Sequence, residues 1–112
     1  MAVLNVQVID RAGDGLDPQF AAASAGGDEF ANNGTAYVEV VNGGGSPVTV
    51  TVATPQTQAG LAVADLTVAI PAGGRRKFGS FPPATFNNSA NGRVALTYSG
   101  VTSVTVGVFR LS

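Results

Sequence analysis

The chain has 112 residues, a formal net charge of −1 and a charged fraction of only 12%. It contains no cysteine and no histidine, which excludes disulfides, thiolate metal sites and the common histidine-dependent catalytic triads. With only six basic residues, we expect no nucleic-acid partner, because that binding depends on many contacts to phosphate. No run approaches the ~18 consecutive apolar residues of a membrane span, so we expect no membrane partner either.

Alternation of apolar and polar side chains begins near the N-terminus. Residues 2–9 follow this period of two, which predicts a first strand with Leu4, Val6 and Val8 on one face. Residues 10–33 have no clear period and are predicted to form a long irregular loop within a single domain of residues 1–112. The alanines in this loop are compatible with a short helical turn over residues 20–24.

Residues 35–42 and 46–54 give the clearest strand signal. Val48, Val50 and Val52 alternate with small or hydroxyl side chains, and β-branched residues suit a pleated strand. The glycines between the two runs are typical of a tight turn, because glycine adopts positive φ at little steric cost. The sequence therefore predicts an antiparallel hairpin made of these two strands.

The same pattern recurs through the rest of the chain. It predicts a short edge segment and four strands, at residues 61–63, 66–70, 75–81, 93–99 and 103–111. Pro82 and Pro83 predict an extended, polyproline-like connection. Seven or eight short strands separated by Gly, Pro, Asn and Ser clusters predict an all-β domain. We expect an antiparallel β-sandwich or small barrel, jelly-roll or immunoglobulin-like.

Paired carboxylates are the remaining route to acid–base catalysis in such a chain. The candidate pairs are Asp14 with Asp17, Asp28 with Glu29, and Glu39 with Asp65. Each is more simply a turn former or a solvated side chain, so we expect no enzyme activity and no cofactor. Asp10, Asp14 and Asp17 lack the spacing and the closing glutamate of a calcium loop, so we expect no metal.

The one positive cluster is Arg75-Arg76-Lys77, directly after a Gly-Gly turn. It has two interpretations. Charged residues on an edge strand discourage uncontrolled pairing with other chains. The same residues could dock onto an acidic surface of a partner protein.

Apolar residues on the faces opposite the valine rows pose a similar choice. They are Tyr37, Val41, Phe109 and Leu111, with Phe78 and Phe81 flanking the proline-rich turn. Either they complete a second layer of the core, or they form a patch that another subunit covers. With only two tyrosines and no tryptophan, the chain has few of the aromatic platforms that a carbohydrate site uses.

Several segments between residues 34 and 111 share one turn-and-strand pattern. They are GTAYVEVVNGG at 34–44, PVTVTVATP at 47–55, GLAVAD at 60–65, IPAGG at 70–74 and FPP at 81–83. Together they resemble small proteins encoded among the head genes of tailed bacteriophages, usually next to the major capsid protein. The resemblance implies a non-enzymatic virion protein, a capsid decoration (cement) or minor head protein, made in the host cytoplasm.

The implied partner is the major capsid protein, bound by a homo-oligomer for which a trimer is one form. The residues predicted to contact it are Asp14, Asp17, Phe20, Arg75, Arg76, Phe78, Phe81 and Phe86. Two alternatives stay open: a head–tail connector or tail component, and a surface adhesion or glycan-binding module.

Overall fold

The computed structural model describes residues 2–9 and 20–111. In chain order its strands are Ala2–Val3 (β1), Val6–Ile9 (β2), Ala21–Ala22 (β3), Asp28–Ala31 (β4), Ala36–Asn42 (β5), Val48–Val52 (β6), Thr57–Gln58 (β7), Leu61–Ala62 (β8), Leu66–Ile70 (β9), Arg75–Gly79 (β10), Arg93–Tyr98 (β11) and Val104–Leu111 (β12). A single-turn helix, Pro83–Phe86 (α1), lies between β10 and β11. No helix in these residues is long and apolar enough to cross a membrane.

Two sheets make up most of the molecule. Sheet A has the strand order β1-β4-β11-β6-β9, and sheet B has the order β10-β5-β12-β2, with β3 also pairing with β12. Strands β7 and β8 form a separate short hairpin. The all-β prediction is confirmed, and because the sheets are open the architecture corresponds to the sandwich alternative. Most strand pairs are antiparallel, but β1 with β4 and β2 with β12 are parallel.

The core lies between the inner faces of the two sheets. Alternating residues of β5, β6, β11 and β12 supply most of it, as the period of two predicts. The largest fully buried side chains are Phe30, Phe81, Ile70, Leu96, Val38, Val40, Val50, Val52, Val94, Val104, Val106 and Val108. Burial of each such side chain contributes about 1.5–3 kcal/mol before the entropy of ordering is counted.

The predicted hairpin of β5 and β6 is wrong, because the two strands lie in different sheets. Strand β5 pairs with β10 and β12, whereas β6 pairs with β9 and β11. Residues 43–47 therefore cross from one sheet to the other, so the valine rows of the two strands face each other through the core. Residues 71–74 and 99–103 make the same kind of crossing.

The side-chain amide of Asn42 holds two of these crossings together. Only 1% of Asn42 is exposed. Its Nδ2 donates to the carbonyls of Ser46 at 2.8 Å and of Ile70 and Pro71 at 3.3 Å each. Its Oδ1 accepts the N–H of Gly44 at 3.0 Å. A buried carbonyl without a donor would cost free energy, so this amide stabilises the crossings that follow both β5 and β9.

A second amide pair joins loops at the other end of β5. Asn32 Nδ2 donates to the carbonyl of Phe81 at 2.8 Å and to Oδ1 of Asn87 at 2.7 Å. Asn87 Nδ2 donates in return to the carbonyl of Asn32 at 2.9 Å. Gln56 Nε2 also donates to the carbonyl of Asn87, at 2.7 Å. This network ties the connection after β10 to the crossing between β4 and β5.

Other boundaries differ from the sequence prediction for local reasons. The predicted strand 2–9 is broken at Leu4 and Asn5, where the chain passes from sheet A to sheet B. The irregular loop predicted for 10–33 contains β3 and β4 in its described part, and the helical turn over 20–24 is wrong because β3 pairs with β12 there. Residues 10–19 lie outside the described residues. Pro83 opens α1 instead of continuing an extended path, since proline is favoured at the first helical position.

Replacing Val50 with aspartate should prevent folding. Val50 has no exposed area and lies on the inner face of β6, in the interior of sheet A. An uncompensated buried carboxylate there would cost several kcal/mol, comparable with the whole stability of a small domain at about 5–15 kcal/mol. Circular dichroism and thermal melting would measure the effect, with the exposed neighbour Thr49→Asp as the control. A cooperatively melting Val50→Asp protein would contradict the assigned register.

Replacing Asn42 with alanine should lower the free energy of unfolding by about 2–3 kcal/mol, because the carbonyls of Ser46 and Ile70 lose this donor and the N–H of Gly44 loses its acceptor. The exposed Asn5→Ala is a matched control that should change stability by less than about 0.5 kcal/mol. Urea denaturation of the three proteins makes the comparison. Equal effects of the two substitutions would show that the Asn42 amide does not hold the crossings.

Candidate interaction surface

Three consecutive cations lie on the last strand of sheet B. We call Arg75, Arg76 and Lys77 the basic edge. Strand β10 pairs with β5 in antiparallel register, with Arg76 opposite Val40 and Lys77 opposite Glu39. Among the described residues no strand pairs with the other side of β10. All three cations are exposed, and with Glu39 they line an open recess of about 440 Å³.

Backbone polarity along β10 follows from one hydrogen bond. The N–H of Asn42 donates to the carbonyl of Gly74 at 2.8 Å, so the backbone carbonyl of Gly74 points toward β5. Because the backbone N–H and C=O groups of successive residues alternate in direction along a strand, those of Arg76 also point toward β5. The N–H and C=O groups of Arg75 and Lys77 point the other way, to the unpaired side of β10. The outward carbonyl of Arg75 accepts a hydrogen bond from Nη1 of Arg76 at 2.8 Å.

One acid partly neutralises the basic edge. Arg75 Nε donates to Oε2 of Glu39 at 2.5 Å, and the Glu39 side chain is only 8% exposed. This ion pair holds the Arg75 guanidinium in a defined position. Arg76 and Lys77 have no ion pair with an acid in the described residues. In the part of the chain that the structure describes, the edge therefore carries three cations and one neutralising carboxylate.

Aromatic rings on the outer face of sheet B lie beside the basic edge. The guanidinium carbon of Arg75 is 5.9 Å from the ring centre of Phe20, within cation–π range. Phe20 packs edge-on against Phe109 at 5.9 Å, and Phe109 stacks with Tyr37 at 5.4 Å. These three rings, the outer aromatic cluster, account for Tyr37 and Phe109 among the apolar residues opposite the valine rows, whereas Leu111 is 62% exposed. Phe109 is 7% exposed, so the rings cover one another.

The phenylalanines near the proline turn have a different role. Phe81 has no exposed area and contacts three other rings: Phe30 at 5.8 Å, Phe78 at 6.3 Å and Phe86 at 5.4 Å. A partner could not reach Phe81 in this conformation, so its assignment as a contact residue is corrected. Phe78 and Phe86 are half-buried and pack against Phe81 and the core.

Of the eight predicted contact residues, the structure therefore brings Phe20, Arg75 and Arg76 together. Phe78 lies on β10 but faces the core side of sheet B. Asp14 and Asp17 lie outside the described residues. Lys77 and Glu39 are part of the surface although neither was among the eight. Lys77 belongs to the RRK run that the sequence already singled out, whereas the place of Glu39 follows from the pairing of β10 with β5.

Two of the candidate carboxylate pairs, Asp28 with Glu29 and Glu39 with Asp65, are divided between different partners, and the pair Asp14 and Asp17 lies outside the described residues. Asp28 is fully buried on the inner face, whereas its neighbour Glu29 lies on the outer face and binds Arg93 at 3.0 Å. Asp65 accepts hydrogen bonds from the N–H and hydroxyl of Thr54 at 3.0 and 2.9 Å. Within the described residues no group of three or more potential metal-ligating side chains is present.

Asp28 forms a buried polar pair that sequence reasoning missed. The hydroxyl of Tyr98 donates to Asp28 Oδ2 at 2.7 Å, and the N–H of Ser24 donates to the same oxygen at 3.2 Å. Asp28 Oδ1 has no hydrogen-bond partner among the described residues. Burial, followed by the hydrogen bond to Asp28 and its charge, raises the pKa of Tyr98 well above its ordinary value. The placement of Tyr98 in the row with Val94 and Leu96 was the available signal.

Comparison of this chain with protein-family models, with curated proteins and with solved structures finds no match.

Replacing Tyr98 with phenylalanine should lower stability at neutral pH by about 1–3 kcal/mol, because Asp28 loses its hydroxyl donor. The pH dependence should also change. A raised Tyr98 pKa means that folding favours the neutral phenol, so this stabilisation is present below about pH 10 and is lost as the pH rises above it. The Tyr98→Phe protein should lack that alkaline loss.

Urea denaturation at neutral pH and at about pH 11 would measure both effects. Tyr37→Phe on the outer face is the matched control, since it removes the other tyrosine hydroxyl of the chain. If Tyr98→Phe lost stability above pH 10 as steeply as the unchanged protein does, the buried pair would not be the source.

Proposed function

We propose that this protein is a non-enzymatic structural component of a phage virion, a capsid decoration or minor head protein that binds the outer capsid lattice. The observation that carries the proposal is the basic edge. Within the described residues it combines an edge strand with one unpaired side, two cations that form no ion pair with an acid, and an arginine held by Glu39 and Phe20. The sequence resemblance to small phage head proteins supplies the class of partner.

A preformed surface suits this role. The register between β5 and β10 fixes the position of Arg75 before binding, so less conformational entropy is lost on contact. Arg76 and Lys77 add attraction to a negatively charged lattice, which increases the rate of encounter and favours the correct partner. Phe20 of the outer aromatic cluster contacts the guanidinium of Arg75, and Phe109 and Tyr37 pack behind Phe20.

Binding of this kind stabilises a shell by mass action. A protein that contacts neighbouring capsid subunits binds the assembled state better than the separated subunits. The assembled state is then favoured by an amount that grows with the concentration of free decoration protein. No bond has to be made or broken, and the mechanism requires only a rigid domain with a complementary surface.

Arg76→Ser combined with Lys77→Ser should reduce capsid binding at least about tenfold while leaving the fold intact, because exposed cations with no ion pair contribute little to stability. Arg75 is kept, since its removal would leave Glu39 without its ion pair. Co-sedimentation of purified protein with empty capsids from the same source measures binding, at low and at high salt. The double substitution Thr67→Glu and Thr97→Glu, on exposed positions of sheet A, changes the net charge equally and is the control.

Stoichiometric co-sedimentation of the unchanged protein, lost in the Arg76/Lys77 variant and kept in the control, supports the proposal. Failure of the unchanged protein to co-sediment would overturn it. A closed ring in solution would then indicate a connector or tail component, and saturable sugar binding would indicate an adhesion module.

A further inference from the structure

We propose that the basic edge binds its partner by β-strand addition, taking an extended acidic segment as a new strand beside β10. The chemistry of the segment follows from the strand: carboxylates alternate with apolar side chains, at a period of two. Naming the capsid as the source of that segment rests on the function proposed above. The mode of binding does not, because it follows from the edge itself.

The backbone of β10 is suited to pairing. Strand β10 is five residues long and contains no proline, and its outward groups at Arg75 and Lys77 face away from β5. Added strands obtain their affinity from such main-chain hydrogen bonds and their specificity from alternate side chains. The outward carbonyl of Arg75 accepts a hydrogen bond from the exposed side chain of its neighbour Arg76. That contact can exchange for a partner's N–H without disturbing the sheet.

The outer face of the edge selects for acids. Arg75 and Lys77 project to the same side two positions apart, which is about 6.6–6.8 Å along a strand. Glutamate or aspartate at alternate positions of an added strand would lie opposite them. Cross-strand pairs of opposite charge contribute about 0.2–1 kcal/mol each, and like charges in that position are unfavourable. A basic strand is therefore rejected by the same side chains that attract an acidic one.

The inner face of the edge carries Arg76 and Phe78, and at the Phe78 end it selects for an apolar side chain. Phe78 is half-buried against Phe81, at a centroid distance of 6.3 Å. Strand β9, at the end of sheet A and joined to β10 by residues 71–74, is incompletely covered. Leu66 is 38% exposed and Val68 half-buried, although both lie on the same face as the fully buried Ile70. Within the described residues, the core is therefore partly exposed to solvent beside β9. An inward-facing side chain of a strand added to β10 would cover this exposed part.

Edge protection makes the opposite prediction. If Arg75, Arg76 and Lys77 serve only to repel other strands, no extended peptide should bind β10, whatever its charge. A purely electrostatic surface would bind any acidic peptide regardless of residue order and of backbone N–H groups. Strand addition requires the alternating order and the free amides, so peptides separate the three cases.

The experiment uses three fluorescent eight-residue peptides of glutamate and valine. The first alternates the two residues, the second has the same composition in two blocks, and the third alternates but carries N-methyl groups at every second amide. Fluorescence anisotropy against the full chain should show binding of the first peptide and at least about tenfold weaker binding of the other two. Amide chemical shifts should change along residues 75–79. The Arg76→Ser/Lys77→Ser protein should bind more weakly than the Thr67→Glu/Thr97→Glu control.

Equal binding of the alternating and N-methylated peptides would overturn strand addition, and so would the absence of binding to all three. Co-sedimentation with capsids separates this result from the function. Capsid binding without peptide selectivity would retain the decoration role and reject the strand mode. Selective peptide binding without capsid binding would retain the strand mode and reject the capsid as partner.

Discussion

Buried amide hydrogen bonds at both ends of β5 are the constraint on which the rest of the structure depends. The chain passes between the sheets before and after this strand, and carbonyls in the connections beside it need donors from outside the strand ladders. Asn32 donates to the carbonyl of Phe81, and Asn42 donates to those of Ser46 and Ile70. An aliphatic side chain at either position would bury them without donors, which is more costly than the loss of an ordinary hydrogen bond. Neutral amides supply these bonds without the desolvation cost of a buried charge.

The candidate surface depends on the same strand. With β5 fixed, antiparallel pairing places Lys77 opposite Glu39 and Arg75 opposite Val41, and the outer face receives both cations. On the other side β12 brings Phe109 beside Tyr37. The basic edge and the outer aromatic cluster are thus two consequences of one register. A one-residue slip of β10 would turn Arg75 and Lys77 toward the core.

The period of two was sufficient to locate most strands and the core, because a strand with one buried face alternates apolar and polar residues along the sequence. Val48, Val50 and Val52 were assigned to one face, and all three are buried. The partner strands could not be read in this way. A glycine-rich turn permits a hairpin and a crossing between sheets equally well, and the choice at residues 43–47 depends on strands far away in sequence.

The sequence predicted those features of the basic edge that depend on neighbouring residues in the chain. The RRK run after a Gly-Gly turn indicated an exposed basic strand, which the structure has at β10. The pairing of Arg75 with Glu39 and with Phe20 joins residues from three separate segments, so no local pattern reports it. Phe81 was misassigned because a phenylalanine beside two prolines gives no indication of which side of the chain is buried. The Asp28–Tyr98 pair also joins distant strands: the row of Val94, Leu96 and Tyr98 indicated that Tyr98 faces inward, but nothing local indicated Asp28 as its partner.

The crossings between sheets have a kinetic consequence. Apart from the two-residue strands β7 and β8, the described strands pair with partners distant in the sequence, so forming the sheets requires the closure of long loops. Val38 pairs with Val108 and Val40 with Arg76, separations of roughly 70 and 36 positions, which places the domain among slowly folding β proteins. The central pair of sheet B, β5 with β12, cannot form until the last strand of the chain pairs with β5. The unpaired apolar strands that persist meanwhile are targets for chaperones or for premature association.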